Sequence, residues 1–503
     1  MSDKANPAVP ATRARFALDV AKLTSGTILA QAVSIVAAPF IARMFSPAAF
    51  GVASLFASLV GILSVVICLR YDRSIIVPAK DEDALNLVAV SLTATGLVSG
   101  LSLLLFLPGE TWILGRLNAP ELVSYVWLIP LNLVLMGILA ALYCWNTRKA
   151  HFTLVTIAQT LASLCYVGLA LAFGYFGWRS GGYLIVATLV GTGLSAVLLS
   201  AELVRQWWSE LATKITLAGI CRAIKEYHRF PKYSTGAALL NSISWELPNF
   251  MLAAFFSPAV VGQYAMGNRV VRIPMSLLGI NISRVFSQRA AECRHNGTLN
   301  VLVASAFQSM ITLGMFPFLL LTFVGKDLFR TVFGTAWIEA GVFTEILSVW
   351  AFFWFLSGPL ASVVDILNEQ AFDLKINVVV VVTRALALLA GGFIGDPRVA
   401  LTIFSITGVG VYAYYCITVL QKAGVSKGES SRILFSHLPI FLPYGFCILA
   451  AKLLGLSSLG ICILSAIMLI IYYASVVRKN SGVRQILYSI LQRTPWRVWR
   501  VVT

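Results

Sequence analysis

The chain has 503 residues, of which 58% are hydrophobic and only 12% are charged. Soluble domains carry about a quarter of charged residues, so this balance excludes an ordinary soluble enzyme. Lys and Arg number 38 against 21 Asp and Glu, a net charge of +17. Nucleic-acid binding is one interpretation of that charge, but membrane proteins concentrate basic residues in their cytoplasmic loops, which explains it better. We therefore expect no nucleic-acid partner.

Apolar stretches of about 20 residues recur along nearly the whole sequence, and each is long enough to cross about 30 Å of hydrocarbon as an α-helix. We predict an all-α polytopic membrane protein with about fourteen transmembrane helices. The predicted spans are 23–42, 50–69, 85–107, 123–145, 153–175, 183–203, 235–256, 262–283, 298–324, 338–362, 376–394, 399–420, 437–454 and 458–477.

The distribution of Lys and Arg predicts the orientation of these spans. With the N-terminus inside, 28 of the 38 basic residues fall on the inner side and 8 on the outer side. Because basic residues concentrate in cytoplasmic loops, both termini are predicted to be cytoplasmic. The basic connection 204–234 contains Trp207 and Trp208, and it is predicted to form an amphipathic helix on the inner membrane surface.

An internal repeat divides the chain into two halves. Residues 45–51 read Phe-Ser-Pro-Ala-Ala-Phe-Gly and residues 256–262 read Phe-Ser-Pro-Ala-Val-Val-Gly, a match of five in seven at an offset of 211. At the same offset Arg73 falls on Arg284. The offset covers six predicted spans, an even number, so the two halves share one orientation. Parallel six-helix repeats of this kind are typical of transporters.

The predicted organisation has six parts. They are a cytoplasmic N-terminal segment (1–22), an N-terminal six-helix lobe (23–203), the amphipathic linker (204–234), a C-terminal six-helix lobe (235–420), two additional transmembrane helices (421–477) and a basic cytoplasmic tail (478–503).

The sequence shows no pattern typical of a metal site or of a disulfide framework. The eight cysteines are scattered without a C-x-x-C pair and the four histidines stand alone, so we expect no metal and no other cofactor.

Three short segments carry a resemblance to a known family. They are Ala42–Pro47 followed by Phe50 and Gly51, then Arg70–Pro78 (Arg-Tyr-Asp-Arg-Ser-Ile-Ile-Val-Pro), and Phe333–Trp337 (Phe-Gly-Thr-Ala-Trp). Together with the hydropathy pattern over residues 20–480, they resemble the bacterial polysaccharide transporters of the O-antigen flippase type. The superfamily of these transporters also contains multidrug/toxin-extrusion antiporters and lipid II flippases.

This resemblance implies a fold, a location and a function. The fold would have two six-helix lobes around a central cavity, plus two C-terminal helices, in the bacterial inner (plasma) membrane. The protein would be a transporter rather than an enzyme. It would move undecaprenyl-diphosphate-linked oligosaccharide repeat units from the cytoplasmic to the periplasmic leaflet by alternating access, for O-antigen, capsule or exopolysaccharide biosynthesis. The implied partners are this lipid-linked oligosaccharide, membrane lipids and other polysaccharide assembly proteins.

Arginines in or beside the spans are the candidate substrate-binding residues. An ionised side chain at bilayer depth costs at least about 2.5–3.5 kcal/mol, and arginine presents a planar fork that binds phosphate through two hydrogen bonds. Arg384, eight residues into the eleventh span, is predicted to face the second-lobe cavity or to pair with Glu246 or Asp365. Arg269 and Arg272 lie near the outer surface, where snorkelling to water is the alternative. The candidates for binding diphosphate or sugar are Arg70, Arg73, Arg269, Arg272, Arg284 and Arg384.

The seventh span carries the clearest polar pattern. Asn241 and Asn249 share one helix face, Glu246 lies about halfway across, and Pro248 should kink the helix. A mid-span carboxylate suits coupling to a proton or sodium gradient, and a structural pair with an arginine is the alternative. Asp72 and Asp365 belong to inner charged clusters that would form either a salt-bridged gate or solvated loops. The candidate coupling or gating residues are Glu246, Asn241, Asn249, Asp72 and Asp365.

Two other functions remain as alternatives. A multidrug or cation antiporter of the same superfamily would need acidic and aromatic groups in its site, whereas the charges inside these spans favour arginine. A membrane-embedded polysaccharide polymerase or glycosyltransferase would need large external loops. The longest predicted outer connection, about 108–122, is too short to hold a sugar-processing site.

Overall fold

A computed structural model describes residues 30–115, 118–276, 296–435 and 438–479, with a few isolated residues between 286 and 294. All the regular elements in these ranges are helical. The chain divides into two compact units, which we call unit 1 (up to Glu246) and unit 2 (from Leu247). The sequence analysis predicted the boundary between the two halves at the linker 204–234. The division of the chain into six parts stays a prediction.

Unit 1 is built on long helices that enclose an apolar core. The helices are α1 (Ala30–Met44), α2 (Pro47–Ser64), α3 (Tyr71–Ser74), α4 (Asp81–Gly115), α5 (Pro120–Val123), α6 (Leu128–Arg148), α7 (Phe152–Tyr175), α8 (Gly181–Lys214), α9 (Leu217–Glu226) and α10 (Thr235–Phe255), the last of which continues into unit 2. Leu139 and Trp145 on the central helix α6 are buried between α4, which contributes Leu85, and α8, which contributes Leu199. Helix α2 also packs against α8.

The described helices of unit 2 are α11 (Pro258–Pro274), α12 (Leu299–Val332), α13 (Ile338–Leu367), α14 (Gln370–Ile394), α15 (Pro397–Lys422), α16 (Lys427–Phe435), α17 (Leu438–Leu453) and α18 (Ser458–Lys479). The two longest, α12 and α13, pack against each other. Helix α13 also packs against α11 and α15, α14 packs against α15, and α18 packs against α12.

Most predicted spans coincide with apolar helices. Ten of them fall on helices long and apolar enough to cross a membrane, and 23–42 and 437–454 fall on the shorter apolar helices α1 and α17. The spans 235–256 and 262–283 fall on α10 and α11, whose polar residues lower their hydropathy, and 277–283 lie outside the described residues. The chain is therefore a multi-pass membrane protein with an all-helical fold, while the number fourteen stays a prediction.

The exposed surface of the helices fits a lipid environment. On α4, Leu97, Leu101 and Leu104 follow helical spacing, and each is about 70% exposed. In water such a stripe would be an aggregation site, whereas hydrocarbon solvates it without cost. Polar hydroxyls on the same helix, at Ser91 and Thr95, donate to backbone carbonyls of the preceding turn.

Candidate functional site

Arg384 lies on the interior face of α14. Val378, Val382 and Leu386 form an exposed apolar stripe at four-residue spacing, whereas the Arg384 side chain is turned away from this stripe and is only 5% exposed. A guanidinium at this depth is costly unless neighbouring groups stabilise it. The surroundings of Arg384 therefore decide what the residue can do.

Aromatic side chains from two neighbouring helices surround Arg384. Its guanidinium carbon lies 5.8 Å from the ring centroid of Trp350 on α13 and 5.8 Å from that of Phe404 on α15. One of its N–H groups donates to the hydroxyl of Tyr412, 3.4 Å away. Cations over aromatic faces gain about 2 kcal/mol or more when they are desolvated. The rings thus stabilise the charge of Arg384.

The aromatic contacts continue to a second arginine. Trp350 and Trp354, one turn apart on α13, stack with a centroid distance of 5.4 Å and an interplanar angle of 12°. The guanidinium of Arg272, on α11, lies 5.5 Å from the centroid of Trp354. We call the series Arg272, Trp354, Trp350 and Arg384 the arginine–tryptophan ladder. It brings together two of the six arginines that the sequence suggested, on helices more than 100 residues apart.

A glycine allows the ladder to form. A β-carbon at Gly408 would lie 2.3 Å from Cδ1 of Trp350, so only glycine lets α15 approach this indole. A guanidinium held over a ring by its charge still has N–H groups that can donate to oxygen atoms. Such an arrangement holds a planar cation in a fixed orientation, which suits bidentate binding of a phosphate or carboxylate.

Glu246 takes part in a polar contact within unit 1. The hydroxyl of Ser58, on α2, donates to its carboxylate at 2.6 Å. One turn earlier on α10, the Ser242 hydroxyl donates to the carbonyl of Gly61 at 3.3 Å. These two hydrogen bonds attach the first part of α10 to α2.

The predicted inner cluster around Arg70 forms a compact turn. Leu69 and Arg70 adopt left-handed backbone angles, with φ of 49° and 65°, which reverse the chain before α3. Asp72 is close enough to Arg73 for a weak ion pair (3.9 Å), and the Arg73 side chain is 64% exposed. The Tyr71 hydroxyl donates to the Ile224 carbonyl, and burial raises the pKa of this tyrosine. The turn thus presents Arg73 to solvent beside α9.

Arg148 holds the segment that follows this turn, a role that the sequence analysis did not predict. The side chain, at the end of α6, is only 11% exposed and pairs with Asp81 at 3.1 Å. It also donates to the carbonyls of Pro78 and Ala79. Lys149 reaches the same carboxylate at 2.5 Å. In the sequence analysis, Arg148 and Lys149 counted only among the basic residues on the predicted inner side.

The other predicted residues lie at separate places. Arg269 and Asn241 are exposed, Asn249 is half-buried, and Asp365 is exposed at the end of α13. In the same inner cluster as Asp365, Glu369 pairs with Lys422 at 2.7 Å. Arg284 lies outside the described residues. Within the described part of the chain, no group of three or more His, Cys, Asp or Glu side chains could hold a metal ion.

Comparisons with solved structures identify the fold. The chain is similar to the lipid II flippase MurJ in an inward closed conformation, with a TM-score of 0.70 and 11% identity over 91% of this chain and 98% of that one. It is also similar to an inward-facing multidrug resistance MATE family transporter of the MOP superfamily, with a TM-score of 0.62 and 14% identity over 81% and 98%. A mutant of the Vibrio cholerae MATE transporter VcmN gives a TM-score of 0.50 and 16% identity over 81% and 95%.

Comparison at the sequence level identifies the family. Among curated proteins, none matches the chain significantly. A family model described as polysaccharide biosynthesis protein matches residues 40–341, which is more than half of the chain. The matched region contains the repeated Phe-Ser-Pro turns, the Arg70 turn and Glu246. The chain therefore belongs to this polysaccharide biosynthesis protein family.

Proposed function

We propose that the protein is a flippase that moves undecaprenyl-diphosphate-linked oligosaccharide repeat units from the cytoplasmic to the periplasmic leaflet for surface polysaccharide biosynthesis. The observation that carries the proposal is the arginine–tryptophan ladder, which places two guanidinium groups beside aromatic rings within the apolar helices of unit 2. The family and the MurJ-like fold support the same substrate class, because MurJ is described as a lipid II flippase.

The ladder suits a diphosphate better than an organic cation. In this mechanism the guanidinium groups of Arg272 and Arg384 donate in-plane N–H bonds to phosphate oxygens, and the tryptophans keep these groups oriented. The sugars would occupy a hydrated cavity, while the polyprenyl chain stays in lipid. Alternating access would then change the side of the membrane on which this cavity opens.

The other predicted residues have separate functions in this proposal. Arg70 and Arg73, on the predicted cytoplasmic side, would attract the diphosphate to the entrance, with Arg269 and Arg284 as further contacts. Asp72 and Asp365 would form gate ion pairs that break when the cavity opens inward. Glu246, with Asn241 and Asn249 on the same helix, would couple the cycle to a proton or sodium gradient. An inside-negative potential also favours outward movement of the anionic substrate, by about 2.3 kcal/mol per charge per 100 mV.

A flipping assay with matched arginine variants tests the proposal. Purified full-length protein is placed in proteoliposomes that contain the lipid-linked repeat unit, and its appearance in the opposite leaflet is measured. Arg384→Gln removes charge-assisted hydrogen bonds worth about 1.5–3 kcal/mol, so we expect flipping to fall about ten- to hundredfold. Arg398→Gln is the control, because Arg398 is an exposed arginine of the same unit that pairs with Glu339.

Two outcomes of this assay would contradict the proposal. One is normal flipping by Arg384→Gln and Arg272→Gln in protein that folds and inserts like the wild type. The other is the absence of flipping in the wild type together with efflux of organic cations. That second result would favour the antiporter function, whose fold the MATE transporters represent.

A further inference from the structure

A polar pocket opens at the end of unit 1 that carries the first Phe-Ser-Pro turn, on the side predicted to be outer. Its volume is about 320 Å³, within the range of small-molecule binding sites. The connections between α1 and α2, between α4 and α6, and between α7 and α8 all contribute to it. The lining residues are Ser46, Ala48, Ala49, Glu121, Ser124, Tyr125, Arg179 and Ser180.

Hydroxyl groups dominate the polar lining of this pocket. Ser46, Ser124, Tyr125 and Ser180 supply four of them. The Tyr125 and Ser180 hydroxyls lie 3.4 Å apart, at the long end of hydrogen-bond distance. Ser46 accepts a hydrogen bond from the Ala49 amide through its side-chain oxygen, which leaves its O–H to donate. The lining thus offers both hydrogen-bond donors and acceptors.

One carboxylate and one guanidinium balance the charge of the pocket. Glu121 and Arg179 are both exposed, and neither forms an ion pair within the described part of the chain. Arg179 donates from Nε to the Gly174 carbonyl at 3.4 Å, which directs its two remaining nitrogens elsewhere. A diphosphate bound here would be attracted by Arg179 but repelled by Glu121. A neutral, hydroxyl-rich ligand meets no such penalty and can bond to both groups.

Close packing fixes the walls of the pocket. A β-carbon at Gly182 would lie 2.1 Å from Cζ of Tyr125, so the tyrosine ring rests directly on the start of α8. Beside Arg179 and Ser180, Trp178 stacks on Tyr183 with a centroid distance of 5.5 Å, and 51% of Trp178 is exposed. Rigid aromatic side chains with a polar edge are suited to contacts with ligands that have both apolar and polar faces. Sugars are ligands of this kind.

We propose that this pocket is a carbohydrate subsite that binds a sugar of the repeat unit on the outer side of the membrane. The inference rests on the proposed function for the identity of the ligand, but it uses residues that the flipping mechanism does not. Four hydroxyls, one carboxylate and one guanidinium hold the ring hydroxyls of a neutral sugar. Small residues at Ala48 and Ala49 leave room for the ring. Binding at this subsite retains the oligosaccharide after translocation.

Titration calorimetry on the full-length protein in lipid nanodiscs tests this subsite. The probe is the lipid-free repeat-unit oligosaccharide, released from the lipid-linked intermediate of the host strain, and the comparison probe is inorganic pyrophosphate. Tyr125→Phe and Ser124→Ala each remove one hydroxyl and should weaken oligosaccharide binding about three- to tenfold. Combining them with Glu121→Gln should weaken it at least thirtyfold. Ser309→Ala is the control, because Ser309 is a half-buried serine of unit 2 whose hydroxyl donates to the Ser305 carbonyl of its own helix.

The outcomes separate this inference from the proposed function. Arg384→Gln, which should lose flipping, is expected to keep oligosaccharide binding, and the pocket variants are expected to keep flipping within about threefold. Absence of oligosaccharide binding to the wild type, unchanged binding in the triple variant, or tighter binding of pyrophosphate than of oligosaccharide would overturn the subsite. Each of those results leaves the flipping assay of the wild type unaffected. Conversely, failure of flipping with intact oligosaccharide binding would contradict the proposed function alone.

Discussion

The two Phe-Ser-Pro turns build the same helix start in both units. Ser46 caps α2 and Ser257 caps α11, each through a hydrogen bond from the amide three residues later, at 3.2 and 3.4 Å. In both helices proline occupies the first position, where its missing N–H costs nothing. The repeat that the sequence showed is therefore a repeat of local structure.

Around this shared start the two units differ. In unit 2 the side chain of Gln263 donates to the Ala336 carbonyl at 2.7 Å and accepts from the Ala340 amide at 2.9 Å, and Trp337 is completely buried beside it. At the offset of 211, Gln263 corresponds to Val52 and Ala336 corresponds to Tyr125. Unit 1 thus lacks the glutamine bridge and has a polar pocket at this place. The corresponding region is thus closed by a hydrogen-bonded glutamine in unit 2 and carries a pocket in unit 1.

The largest expected difference in stability between the corresponding regions of the two units concerns Trp337. Trp337→Ala removes a fully buried indole and should lower the free energy of unfolding by about 3–5 kcal/mol. Val126→Ala, at the corresponding buried position of unit 1, removes only two methyl groups and should cost about half as much. Unfolding in mixed micelles by titration with a denaturing detergent measures both. Equal losses of unfolding free energy in the two variants would show that the corresponding regions of unit 1 and unit 2 contribute equally to stability.

A second comparison removes the glutamine bridge itself. Gln263→Leu keeps the volume of the side chain but leaves the buried Ala340 amide and the Ala336 carbonyl without this partner. The expected loss is about 1–3 kcal/mol in the free energy of unfolding, because unsatisfied buried groups keep their full desolvation penalty. Hydrogen exchange at the Ala340 amide, measured by mass spectrometry, should become faster. An unchanged unfolding energy with unchanged exchange would mean that the bridge contributes nothing.

Sequence patterns predicted the features that the membrane imposes on every segment. Hydropathy located ten spans on long helices because lipid requires continuous apolar length. The fold class and the family were confirmed as well. The polar character of α10 and α11 was visible too, in residues such as Asn241, Glu246 and Asn268. Their polar residues keep α10 and α11 out of the ten long apolar helices, although both were predicted as spans.

The contacts between helices could not be predicted, because they depend on how each helix is rotated in its bundle. Arg384 was selected as a buried charge, but its neighbours Trp350, Phe404 and Tyr412 lie 20 to 34 residues away on two other helices. Ser58 and Glu246 are 188 residues apart. The pocket at Tyr125 combines three connections, each of which is unremarkable by itself in the sequence. A single sequence carries no signal for such combinations.

The smallest expected effect on stability comes from the serine caps of the two Phe-Ser-Pro turns, and it distinguishes a structural role from a binding role. Ser46→Ala and Ser257→Ala each remove one helix cap, and both should cost about 1 kcal/mol of unfolding free energy, since the two caps have the same geometry. Only Ser46 lines the polar pocket, so only Ser46→Ala should also weaken binding of the lipid-free oligosaccharide, by about threefold. Calorimetry and unfolding on the same two preparations measure both quantities. Equal weakening by both variants would attribute the loss of binding to general destabilisation, and the two turns would then be equivalent in function as well as in structure.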